Sequence, residues 1–304
     1  MPPDKESYRD ISRIKLAAEY FRQLSSRNPE DSVNYLQRGF FLYAAGDFEG
    51  AHQEMERFLE MDPRSTVGYC LRGLIQCKMG NVLKSVQDFN RAIQIDPGFH
   101  MAYVGRALLE GNRGKYARAV NDLKKALEMC PENLRIHLYL GDLYSRKEEF
   151  TRAIGEFDKV LEMSLEMSDH VHRQIRLTCL KGGFYHADRG EYLEAIEFYN
   201  RYLEENPQGA NAYFYLGEAY MNLENYEAAR ENLLKSLELS PGGKMEEDVR
   251  ELLVILDELA SIEESGDLDE SDEADEEVEV EVEVVEDAGD LEDLDELEDL
   301  EDLD

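Results

Sequence analysis

The residues able to do chemistry are few and scattered. Four cysteines (Cys70, Cys77, Cys130, Cys179) and six histidines are the candidates for metal ligation or nucleophilic work. Cys70 and Cys77 are seven apart, one face of a helix, but no further Cys or His stands near enough in sequence to complete a tetrahedral zinc set. His170 and His172 are spaced i, i+2, and on a helix such residues point to different faces. No Gly-rich phosphate loop and no nucleophile motif with a positioned base occurs. With 68 Asp and Glu, no carboxylate pair stands out from the background. The expectation is therefore no catalytic residue, no metal, no cofactor and no enzymatic activity. The cysteines lie in apolar helical contexts without paired spacing, which reads as reduced thiols and a cytoplasmic protein. Met-Pro-Pro-Asp-Lys-Glu lacks the basic start and apolar stretch of a secretory signal, and no apolar run approaches the ~18 residues of a membrane span.

Charge narrows the partners. The formal net charge is −35, and it is concentrated: residues 262–304 hold 25 acids and no Lys or Arg. Such a field repels nucleic acid and anionic membranes and attracts basic proteins or cations.

What must position any functional side chain is a repeat. Pro29, Pro63, Pro97 and Pro131 are spaced by 34 residues, as are Pro207 and Pro241. The gap from Pro131 to Pro207 is two units plus an insert of 8. Six units start near Ser32, Thr66, His100, Leu134, Arg176 and Ala210. Counting places within a unit, the fourth is aromatic or apolar and the eighth is small (Gly39, Gly73, Ala107, Gly141, Gly183, Gly217). A break comes near the fifteenth: Gly46, Gly80, Gly114 and Gly190, with Glu148 and Glu224 in the other two. A bulky residue follows, then a small one at place twenty, and proline at place thirty-two ends the unit. Apolar residues at 3–4 spacing on both sides of the break predict helix, turn, helix in each unit. A fixed period of this length means stacked units that cannot bury their apolar faces alone.

The small–aromatic–small–proline order over residues 32–241 resembles the tetratricopeptide repeat (TPR) family. Departures are local: Leu165 stands where proline is expected in the fourth unit, and Tyr replaces the common Trp at place four in four units. The resemblance implies an all-α, right-handed TPR-type α-solenoid. The expected organisation is an N-terminal capping helix or half repeat over 1–31, with Ala17, Phe21 and Leu24 in phase. Units follow at 32–65, 66–99, 100–133, 134–167 with an insert to 175, 176–209 and 210–243. A C-terminal capping helix spans 242–261 and a disordered acidic tail 262–304. In the insert, Ser168 or Asp169 is expected to cap a lengthened helix running to Asp188.

In TPR arrays the first helix of each unit lines a concave groove, chiefly through places 2, 5, 9, 12 and 13. Places 2, 5 and 9 here are Val33, Leu36 and Phe40, then Val67, Cys70 and Leu74, then Met101, Val104 and Leu108, all apolar. Three readings stay open: a groove for an apolar peptide or amphipathic helix, burial between neighbouring units, or burial in a dimer. The clamp by which some members hold acidic chaperone tails is missing, since Leu36, Phe40, Leu71, Met101 and Gly105 occupy its positions. The expected function is a non-enzymatic scaffold or adaptor that binds other proteins, a peptide or a helix. The alternative is a chaperone or buffer for basic proteins, acting through the acidic tail.

Overall fold

The computed structural model describes residues 5–164 and 168–265, with side chains over 13–164 and 168–261. Fourteen α-helices and no strand occur among the described residues. Helix α1 (Lys5–Arg27) precedes the first unit. Six helix pairs follow: α2 (Ser32–Ala44) with α3 (Phe48–Met61), α4 (Thr66–Lys78) with α5 (Val82–Ile95), α6 (His100–Gly111) with α7 (Tyr116–Met129). Then come α8 (Leu134–Arg146) with α9 (Phe150–Met163), α10 (Ser168–Asp188) with α11 (Tyr192–Glu205), and α12 (Ala210–Asn222) with α13 (Tyr226–Leu239). Helix α14 (Glu246–Ser265) closes the described chain. It runs four residues beyond the expected cap, and the rest of the acidic tail lies outside the described residues. The chain divides into two compact units between Val171 and His172, within α10.

Local chemistry sets the helix limits. Asp31, Asp47, Ser65, Asn133 and Asn225 each accept a backbone N–H from the first turn of the helix they precede. Each unit turns through a residue with positive φ, and in two units that residue is Glu148 (64°) or Glu224 (59°) rather than glycine. The place-eight residue is small because the bulky side chain at place twenty-four of the same unit lies on it. A Cβ on Gly141 would strike the Phe157 ring, and one on Gly183 would strike Tyr199.

The repeat also carries a polar device. Arg38, Arg72 and Arg106, at place seven of three successive units, reach the carboxylate at place twenty-three. Arg38 Nη1 donates to Glu54 Oε1 at 2.8 Å. Arg72 grips Asp88 with two bonds of 2.8 and 2.7 Å, and Arg106 grips Asp122 with two of 2.7 Å. The three carboxylates are buried. The hydrogen bond to its aspartate holds each of Arg72 and Arg106 above its ordinary pKa, against the opposing effect of burial. At place four, Tyr69 and Tyr103 donate to the carbonyls of Pro63 and Pro97 at 3.4 and 3.2 Å, tying each unit to the turn before it.

In the second compact unit, α14 lays Val249, Leu252 and Leu256 against Phe214, Ala229 and Leu233. It covers the last pair as a terminal capping helix must.

Candidate binding groove on the first helices

Helices α2, α4 and α6 are neighbours, α4 touching both α2 and α6. Equivalent side chains on them therefore line one surface. The nine predicted groove residues do not behave alike there. Val33 is 54 % exposed, Phe40 51 %, Val67 47 % and Met101 45 %. Leu36, Leu74 and Leu108 are half-buried. Leu36 packs on the core of the first unit, and Leu74 on that of the second. Cys70 and Val104 are buried. Cys70 sits among Phe89, Ala92, Ala102 and Leu109, between the second and third units. The strip is thus narrower than the sequence suggests: place two, with place nine in the first unit, faces out, while place five turns inward.

Burial pushes the Cys70 thiol up to about 12, so it stays protonated and unreactive. None of the four cysteines is in a disulfide. Among the described residues no three His, Cys, Asp or Glu side chains converge as a metal-ligand set, and no helix is long and apolar enough to cross a membrane.

The strip stops after the third unit. In the fourth, Arg135 is exposed and Leu138 buried. In the second compact unit, Leu177, Leu180 and Phe184 are half-buried, Asn211 is exposed and Phe214 is buried. Glu218 stands at place nine of α12, where the first three units are apolar. Burial pushes its carboxyl up to about 7, and the charge of Asp248 on α14 pushes the same way.

A family model described as tetratricopeptide repeat matches residues 104–164 and 182–244, and a second of the same description matches 68–99. Together they cover just over half of the chain. The chain belongs to the tetratricopeptide repeat family. The C-terminal part of a TPR repeat-containing protein from Cytophaga hutchinsonii superposes with a TM-score of 0.60 at 18 % identity, covering 78 % of this chain and 94 % of that one. A TPR protein from Parabacteroides merdae matches at 0.45, with 18 % identity over 83 % of this chain and 95 % of that one. Another, from Thermus thermophilus, matches at 0.41, with 20 % identity over 64 % and 100 %. No curated protein sequence matches significantly. The first likeness shows the TPR solenoid fold, which the repeat pattern and the helix pairs of this chain share, and a TPR solenoid is in general a protein-interaction scaffold.

Proposed function

We propose that this TPR protein is a non-enzymatic adaptor that holds an apolar peptide or amphipathic helix of another protein against α2, α4 and α6. One observation carries the reading: Val33, Val67 and Met101 repeat at one place on three adjacent helices, with Phe40 beside them, and all stay about half exposed. A run of apolar side chains at fixed steps is what a bound helix or strand reads. Covering the exposed half of each is worth about 1 kcal/mol. A partner must therefore engage several at once, and single contacts would not hold it.

The test is affinity capture from native lysate with the full chain, residues 1–261, and the full chain carrying Phe40→Glu, Val67→Glu and Met101→Glu. These sites are exposed, so the variant should keep the wild-type far-UV circular dichroism. Loss of the partner in the triple variant and retention by residues 1–261 support the groove. The reverse pattern, with capture that weakens steeply as salt screens charge, supports the alternative of a basic-protein chaperone acting through the acidic tail.

A further inference from the structure

Place twenty-six, on the second helix, is basic in all six units: Arg57, Arg91, Lys125, Lys159, Arg201 and Lys235. In four units a carboxylate of the same helix answers it. Arg57 lies 3.8 Å from Glu54, Lys159 2.8 Å from Glu156, Arg201 2.9 Å from Glu204 and Lys235 2.8 Å from Glu238. The second and third units differ. There Arg91 and Lys125 stand over the place-four tyrosine of their own unit, 6.0 Å from the Tyr69 ring and 5.9 Å from the Tyr103 ring. Place nineteen adds Lys84 on α5 and Arg118 on α7, and Lys124 of α7 stands 5.8 Å from the Tyr144 ring. All five bases are exposed, and none forms an ion pair among the described residues.

The acids of this region are already engaged. Residues 64–127 carry 11 bases against 4 acids, in a chain of 33 bases against 68 acids. Asp88 and Asp122 are buried and gripped by Arg72 and Arg106, and buried Glu110 meets Lys115 at 3.2 Å and Arg113 at 3.5 Å. Asp96 accepts the Gly98 N–H in an exposed turn. Helices α5 and α7 are held to one patch, because the Arg106 guanidinium of α6 donates to Asn90 of α5 and to Asp122 of α7. Arg91 follows Asn90 directly, and Arg118 and Lys125 stand one turn either side of Asp122. The result is an exposed basic face with no carboxylate of its own left to neutralise it.

We propose that this face of α5 and α7 docks the chain's own acidic segment, residues 266–304. Charge complementarity selects the occupant: the segment carries 23 acids and no Lys or Arg. Tethering to the same chain gives it an effective concentration on the order of millimolar, which an acidic segment of another protein has to beat. Nucleic acid and anionic membranes are disfavoured by the net charge of −35. A basic protein that binds the acidic segment must first displace it from this face. The proposal does not rest on the groove of α2, α4 and α6, and either can fail without the other.

The test is zero-length carbodiimide cross-linking of the dilute full chain, which joins a lysine amine to a carboxylate in contact with it, read by mass spectrometry in the monomer fraction. Links from residues 266–304 should concentrate on Lys84, Lys124 and Lys125 rather than on Lys159 and Lys244, which are exposed elsewhere. They should be lost at about 0.5 M salt, where the screening length falls to about 4 Å. Arg91→Glu with Arg118→Glu leaves every lysine in place and should cut these links about tenfold or more. Arg57→Glu with Arg250→Glu makes the same change of charge elsewhere and should leave them. All four arginines are exposed, so both variants should keep the wild-type circular dichroism. The proposal is overturned if residues 266–304 give no links, if the links spread evenly over the exposed lysines, or if the two double variants behave alike. Links found only between copies, in a dimer fraction, would name a second copy as the occupant and overturn it as well.

Discussion

Each arginine of the ladder neutralises a carboxylate that its own unit buries. Removing Arg72 leaves Asp88 buried and unpaired, and the Arg72→Ala variant should lose about 2–3 kcal/mol in urea unfolding, a figure reduced because the arginine is partly exposed. Arg72→Leu with Asp88→Phe should recover much of that loss, because the fifth unit lays Gly182 against Phe198 at these places and the sixth holds Leu216 and Asn232 there, residues that form no ion pair. The ladder was legible in principle, since Arg38, Arg72 and Arg106 keep the 34-residue step as plainly as the prolines do. The apolar pattern of the repeat does not include it. Glu218 was not legible: its environment comes from Asp248 on α14 and from burial, neither of which sequence spacing encodes. Its folded carboxyl titrates near 7 against an ordinary 4.5. Between those values the folded chain keeps a proton that the unfolded chain has lost, so stability falls as pH rises through this window and is level above it. Glu218→Gln should flatten this slope when urea midpoints are compared from about pH 5 to about pH 8. An unchanged slope would show that the burial has no thermodynamic weight.

At the scale of elements, the sequence placed the helix pairs well because place eight, the turn and place twenty each answer to a local steric need. The two glutamates at the turn are the exception that tests this. Glu148 and Glu224 hold a left-handed backbone that glycine adopts at little cost. Glu148→Gly and Glu224→Gly should each stabilise their unit by about 1 kcal/mol, read as a shift in unfolding midpoint, and a loss of stability would mean that the glutamate side chains hold the turns together. The same local logic explains why the exposed strip was only partly legible. Apolar character marks places two, five and nine alike, but which of them faces out depends on the neighbouring helix, and Cys70 is claimed by the third unit through Ala102 and Leu109.

For the whole molecule, the described helices supply repeated packing, few titratable groups of unusual character, and an apolar strip confined to three adjacent helices. That combination suits holding another protein. Direct evidence comes from photo-cross-linking in native lysate, with benzoylphenylalanine in place of Phe40 or Val67 on the first helices, or of Leu83 or Leu193 on second helices. Leu83 and Leu193 are more exposed, at 75 % and 67 %, so exposure alone favours them. A groove that captures a partner predicts one shared adduct from positions 40 and 67 and none from 83 and 193. Adducts of equal yield at all four positions, or only at 83 and 193, would contradict it.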